Sequence, residues 1–489
     1  MVILINSKNC SKDLYFEHIK KQMHNGEKLA SSSSMKEMNI GAISEKDEGK
    51  TVTIAGWIHS LREIGTISFL TLRDSSGKIQ VKLSKSLKFS KPNKSNNKSE
   101  EELEREKEGE SVELVGESTE LDRESAVQMC GKVRKDARAP NGIELEAQSV
   151  KVLGKIYQLP PFYPLQKNEP NLNVRLDNRS LDLRGERTRA IFNIRAALES
   201  GFRDAVIALN FEEINPACIV SSSTEGGAQL FKIDYFDRPA FLAQSPQFYK
   251  QLAVIGGMER VFMTMPVFRA EKHEGPFHIN EIHQMDIEIA FADDGDAIAL
   301  LSEVFLHMLG SVKENNENDL NSLNVKMNVP NKASLYTYSD LVETLSANGE
   351  KITWGEDFSR EHEMKICEFA KNDVVIVKDY PTAMRAFYSM PYKDNPKICK
   401  AYDLIYKGLE VASGAQRIHV PELLKKQALA KGMDLESQSL ASYISAFNYG
   451  APPHAGWSMG LDRITMQVCG LDNIREAVMF PRDKQRVKP

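Results

Sequence analysis

Residues 243–288 read AQSPQFYKQLAVIGGMERVFMTMPVFRAEKHEGPFHINEIHQMDIE. The stretch opens on a polar loop, Gln244-Ser245-Pro246-Gln247, and passes into a helix-like segment carrying Lys250. An apolar strand, Val261 to Phe268, delivers Arg269 and Glu271 at its end. After a charged loop a second strand, Glu281 to Phe291, returns with Asp286 and Glu288. So many charges suit a plain core hairpin poorly, because an unpartnered buried charge is strongly unfavourable. They suit a site where a polyanion lies beside a small charged molecule.

The rest of the chain bounds that reading. At 489 residues two or more domains are expected. Hydrophobic residues at 41% and charged residues at 27% describe an ordinary globular composition. A net charge of −5 argues against a generally basic nucleic-acid coat but allows a local basic face. Six scattered cysteines without a CxxC pair point to neither a zinc site nor a disulfide framework, and suit a reducing cytosol. No apolar run approaches membrane-spanning length, and Met1 to Ile5 lacks the basic start of a signal peptide. A cytoplasmic protein with no membrane partner is expected.

Residues 1–48 are polar, with a serine run at Ser31 to Ser34, and read as an extension. From Thr51 the pattern alternates with period two through five short strands separated by turns. Residues 49–156 therefore read as a small all-β barrel, an OB-fold. Such barrels bind single-stranded nucleic acid by stacking bases on aromatics and reading base edges. Taken alone, Phe69 reads as barrel core. Residues from about 85 to 122 run from lysine and asparagine to glutamate and read as a solvated surface insertion. Proline-rich residues 157–174 mark a hinge, and residues 175–489 a second domain. Within it, apolar spacing predicts a helix over Arg187 to Leu209, then a strand over Phe211 to Asn215 and Pro216. Residues 292–363 read as helices around a loop, and strand character returns at Val374 to Lys378.

Phe268-Arg269-Ala270-Glu271 resembles motif 2 of the class II aminoacyl-tRNA synthetases. Gln244-Ser245-Pro246-Gln247 with Lys250, followed by Met285-Asp286-Ile287-Glu288, is similar to the aspartyl-tRNA synthetases of eukaryotic and archaeal type. Gly408 to Arg417 and Gly456 to Arg463 follow in family order, the latter resembling motif 3. The resemblance runs from about Thr51 to Pro489. It implies an α+β catalytic domain, an antiparallel sheet flanked by helices, behind the OB barrel. It also implies a homodimer through the motif 1 helix and Pro216, with ATP, L-aspartate, magnesium and tRNA(Asp) as partners.

Site roles follow from the resemblance. Arg269 would bridge the substrate carboxylate and the α-phosphate, Glu271 would place adenine, and Arg463 would stack on adenine and meet the γ-phosphate. Ala270, Phe277, His278, Ile279, Gly460, Leu461 and Asp462 would lie along the nucleotide. Glu410 and Ser413 would hold magnesium, as hard cations prefer oxygen, with Glu410 also at ATP and Ser413 also at aspartate. Arg417 and Lys250 would take the aspartate side-chain carboxylate, with Asp286 holding both cations. Glu225 would receive the ammonium group with help from Gln247. In the barrel, Phe69, Gln80 and Glu144 would bind the anticodon, with Arg62 and Arg73 at phosphates.

Three positions depart from the usual pattern: Phe277 replaces a frequent arginine, Leu409 a frequent acid, and Trp457-Ser458-Met459 a glycine-rich run. Two rivals remain in view. An asparagine–tRNA ligase shares the plan, but two cations suit a carboxylate better than a neutral amide. A synthetase-like protein that only binds RNA would have no use for Arg269, Glu410, Arg417 and Arg463 together.

Overall fold

A computed structural model describes residues 35–64, 67–84, 121–165, 168–221, 230–272 and 275–488. Most of the predicted extension and insertion, and Glu225, lie outside the described residues. The chain divides into two compact units, Met1–Lys167 and Asn168–Pro489.

In the first unit alternation becomes a barrel. Strands β1 (Thr51–Ile64), β2 (Ile67–Arg73), β3 (Lys78–Ser84), β4 (Ala126–Lys135) and β5 (Ile143–Gly154) close in the order β1-β2-β3-β5-β4. Every second residue, among them Ile54, Leu70, Leu72, Ile79, Val81, Met129 and Leu145, fills the interior. Closure leaves no exposed strand edge. Arg73 departs from expectation. Its side chain is buried and paired to Glu124 at 2.7 Å, so it is committed to the barrel and not offered to a phosphate. Arg62 is exposed on β1.

The second unit is built on an eight-stranded sheet. Its strands are β6 (Glu212–Glu213), β10 (Arg260–Phe268), β11 (Glu281–Ala290), β12 (Ser334–Thr337), β13 (Val374–Lys378), β14 (Ala401–Tyr406), β15 (Leu409–Arg417) and β16 (His454–Gly460). The order is β12-β13-β14-β15-β16-β11-β10-β6, antiparallel except at the two edge pairs. A separate three-stranded sheet joins β7 (Ile219–Val220), β8 (Lys232–Tyr235) and β9 (Arg238–Leu242). The strand predicted over Phe211 to Asn215 shortens to β6, since only two residues pair with β10.

Helix α1 (Glu186–Ala208) buries Ile191, Ile194, Leu198 and Phe202 in the main core. Its spacing was legible because those residues recur at three and four. Helix α2 (Gln247–Ile255) precedes β10. Helix α3 (Asp294–Asn315), started by an Asp293–Asp296 capping box, corrects the reading that no apolar run reaches spanning length. It is long and apolar enough to cross a membrane by composition, but Leu301, Val304, Phe305, Met308 and Leu309 are buried in the same core as α1. Helices α4 (Arg360–Ala370) and α5 (Leu461–Cys469) complete the elements that frame the site. The motif 3 departures are explained by pleat: Trp457 and Met459 face the core and Ser458 faces the other side.

Candidate active site

On the face of the sheet opposite α1 and α3, β11, β15 and β16 meet α2 over a cavity of about 460 Å³. Gln247, Lys250, Arg269, Glu271, Phe277, His278 and Ile279 line one part of it. Glu410, Ser413, Arg417, Gly460 and Arg463 line the rest. Ala270, Asp286, Leu461 and Asp462 do not line it. Leu461 belongs to the core, and Asp462 pairs with Arg195 at 2.6 Å while accepting the His283 amide at 2.9 Å. The Asp462 carboxylate is thus spent on locking α5 to α1 and β11.

The floor is a cluster of four buried charges. Asp286 and Glu288, two apart on β11, point to the same side. Lys250 donates to Asp286 Oδ1 at 2.9 Å and to the Trp457 and Ile287 carbonyls at 3.2 and 3.4 Å. Glu288 accepts from Arg417 Nε at 2.8 Å and lies 3.5 Å from Lys250 Nζ. Arg417 also donates to the Gly456 carbonyl at 2.9 Å. Asp286 thus holds Lys250 but not, as expected, both cations; Glu288 holds Arg417. Burial works against the Glu288 charge, but Arg417 and then Lys250 outweigh it and hold the carboxyl below its ordinary value. Gly456 makes this possible, because a Cβ there would sit 2.2 Å from Glu288 Oε2.

Behind the charges a neutral chain fixes α2. His454 Nδ1 meets the Pro452 carbonyl at 2.7 Å, so Nδ1 carries the proton and Nε2 accepts from Gln251 Nε2 at 2.8 Å. Gln251 Oε1 in turn accepts from Gln247 and from Tyr443, each at 2.9 Å. Burial lowers the His454 pKa, in keeping with a neutral ring.

The other end of the cavity depends on a bulge. Leu404 pairs with Ala412 but Ile405 with Glu410, so Val411 is the extra residue on β15. In a regular strand residues 410 and 413 would face opposite sides; the bulge puts Glu410 and Ser413 on the cavity side together. Val411 and Ala412 both turn to the core. The Glu410 amide at the bulge donates to Glu363 Oε2 at 3.3 Å, and its carbonyl accepts from Arg463 at 3.0 Å. Asp403 lies opposite Ser413 and binds Arg385, which stacks over Tyr380 with Cζ 3.6 Å from the ring centroid. Burial, then the neighbouring Asp403, pushes the Glu410 carboxyl up to about 7. Arg269 is held by its loop: its amide donates to the Asn280 carbonyl at 2.9 Å, and Asn280 Nδ2 returns to the Arg269 carbonyl at 2.7 Å.

Sequence reading gave no role to Glu288, Asp403, Arg385 or Glu363. Glu288 carried a signal, the period-two partner of Asp286, and Asp403 another, a lone acid in an otherwise apolar strand. Arg385 and Glu363 carried none, since a loop and a distant helix bring them in.

In the barrel unit, Gln80 and Glu144 pair across β3 and β5, with Gln80 Nε2 donating to Glu144 Oε2 at 2.9 Å. Phe69 is half-buried on β2 between Arg62 on β1 and Lys82 on β3. Because Leu70 and Leu72 point inward, Phe69 belongs to the outer face, with Gln80 and Lys82 beside it. One face therefore offers a stacking surface, base-edge polar groups and two cations.

Against known proteins, residues 171–484 match the family of tRNA synthetases class II (D, K and N), and residues 52–153 match the OB-fold nucleic acid binding domain. Curated relatives include the Aspartate--tRNA(Asp/Asn) ligase of Methanocaldococcus jannaschii, 41% identical over 90% of this chain and 95% of its own length. That of Methanosarcina acetivorans is 39% identical over 91% of this chain and 96% of its own. Among solved structures, asparaginyl-tRNA synthetase from Pyrococcus horikoshii complexed with asparaginyl-adenylate superposes with a TM-score of 0.82 at 28% identity, covering 92% of this chain and 99% of that one. The aspartyl tRNA synthetase from Entamoeba histolytica gives 0.78 at 29% identity, covering 94% of each chain.

Removing one member of the floor cluster should be costly. Glu288→Gln leaves Asp286 on Lys250 and takes from Arg417 its paired carboxylate, and urea unfolding should show a loss of about 3–5 kcal/mol at neutral pH. The Glu288 pKa is lowered in the fold, so its contribution is present above the ordinary carboxylate value of 4.5 and fades as pH falls through the folded value. The gap between wild type and variant should therefore narrow in acid. Equal stability at pH 7 would contradict the cluster.

Proposed function

We propose that this chain, which belongs to the class II tRNA synthetases (D, K and N), is an ATP-dependent aspartate–tRNA ligase. One observation carries the choice of amino acid. Lys250 and Arg417 line the cavity while their carboxylate partners Asp286 and Glu288 do not, so the cavity meets the positive side of both pairs. A carboxylate side chain can lie against two cations that are already fixed in place, where an amide would leave them less well satisfied.

In the first step a substrate carboxylate oxygen attacks the α-phosphorus of ATP and pyrophosphate leaves with the bonding electrons. The protein forms no bond; it aligns reactants and spreads charge. Arg269 follows the end of β10 and lines the same cavity as Lys250, Arg417 and Glu410, so its side chain is suited to bridge the two reacting groups. In the second step the 3′-terminal ribose hydroxyl of tRNA attacks the adenylate carbonyl and AMP leaves. The outer face of the barrel, with Phe69, Gln80 and Glu144, is assigned to the anticodon. Glu225 keeps its assignment to the substrate ammonium by resemblance alone.

Magnesium fits the oxygen donors at hand. Glu410 is a crowded carboxylate pushed up to about 7, Ser413 shares its side of β15, and both line the cavity. Among the described residues no cluster of three His, Cys, Asp or Glu forms a protein cage, which accords with an ion held partly by phosphates. When bound it would neutralise phosphate charge. The five described cysteines are free, which supports the assignment to the cytosol.

We assign a homodimer to the motif 1 helix α1 and Pro216; Ile207 near the end of α1 and Ile219 just past Pro216 in sequence are exposed. Sedimentation should give twice the 55.0 kDa chain mass; a single-chain mass at micromolar concentration would remove the assignment.

The relatives named for both tRNA(Asp) and tRNA(Asn) keep the tRNA choice open to experiment, so transcripts of each should be charged side by side. Arg417→Lys keeps the charge but loses the paired contact with Glu288. It should raise the KM for aspartate roughly a hundredfold while leaving that for ATP near wild type. An unchanged aspartate KM would remove Arg417 from the pocket.

A further inference from the structure

Arg360 lies outside every motif considered above, on the first turn of α4. Its guanidinium stands over the Phe277 ring, 5.1 Å from the centroid, and Phe277 is part of the cavity wall. The Arg360 Nη1 atom is buried and has no hydrogen-bond partner among the described residues. Glu363, one turn on, is 4.0 Å away, too far for a hydrogen bond, and its Oε2 already accepts the Glu410 amide. A second guanidinium, Arg463, is near enough that its like charge acts on Arg360. A buried N–H without an acceptor is unfavourable, and the nearby acid, Glu363, is already engaged with the Glu410 amide.

We propose that Arg360 is a nucleotide-binding residue: its guanidinium, steadied on the Phe277 ring, binds the outer phosphates of ATP together with Arg463. The proposal rests on the reading of this cavity as the ATP site. With Arg269 at the α-phosphate, the remaining phosphates would extend toward Phe277, Glu410 and Arg463, which line the cavity, and Arg360, which does not itself line it, lies against the Phe277 ring. A planar guanidinium presents several N–H groups to a phosphate at once, and Nη1 would gain the acceptor it lacks. α4 would then contribute twice to the same end of the cavity. Glu363 holds the bulge that aims Glu410, and Arg360 holds the substrate charge.

The test is calorimetric binding of ATP and of AMP to the full chain, comparing wild type, Arg360→Ala and Arg360→Lys, with urea midpoints recorded for each. Arg360→Ala should weaken ATP roughly ten- to hundredfold and leave AMP unchanged, because AMP lacks the phosphates concerned. Arg360→Lys should recover part of the ATP loss. Unchanged ATP affinity in Arg360→Ala would overturn the proposal and assign Nη1 to a water molecule. Equal losses for ATP and AMP would overturn it too, making Arg360 a prop for the Phe277 wall. Wild type that binds neither nucleotide would sink the ATP-site reading, and this proposal with it.

Discussion

Two lysine and arginine cations and two carboxylates, sealed between α2, β11, β15 and β16, set the terms for the rest of this site. Burying four charges carries a large desolvation cost, and it is tolerable only because each cation faces a carboxylate at close range. That requirement reaches outward. β11 must present Asp286 and Glu288 on one side, β16 must carry a glycine at 456, and α2 must bring Lys250 down to full burial. The Gln247–Gln251–His454 chain holds α2 in that position with neutral groups, adding no further charge. A mobile lysine in water would offer a substrate carboxylate much less, since it would have to be ordered on binding.

The Glu410 end of the cavity works by a different device. There a single extra residue, Val411, changes the parity of β15 so that Glu410 and Ser413 share a side. The freed amide is taken up by Glu363 from a helix distant in sequence, so α4 belongs to the site although it lies outside the central strands. Gly408 lets that helix approach, since a Cβ there would lie 2.7 Å from the Met364 Cα, and its φ of +70° is open to glycine. The two ends are joined through β15, which carries Glu410 at one end and Arg417 at the other.

Much of this was legible in the sequence. The barrel showed itself by alternation, α1 by its spacing, and the hairpin from Arg260 to Ala290 by charges in an apolar frame. Pairing was less legible. Arg73 looked like a phosphate contact because an arginine at the end of a strand gives no hint that Glu124, 51 residues away, closes over it. Arg385 and Asp403 were missed for the same reason: a loop folds back to join them. The bulge left no trace, since Leu409 to Arg417 reads as an unbroken strand. Helical character was expected over residues 292–363, but the apolar length of α3 was hidden by the small and polar residues among its apolar ones.

The central claim is that two caged cations select a carboxylate. ATP–pyrophosphate exchange on the purified chain, without tRNA, tests it with aspartate and asparagine in parallel. The account predicts exchange with aspartate and little with asparagine. Exchange driven equally or better by asparagine would contradict it, because the pocket would then be reading an amide.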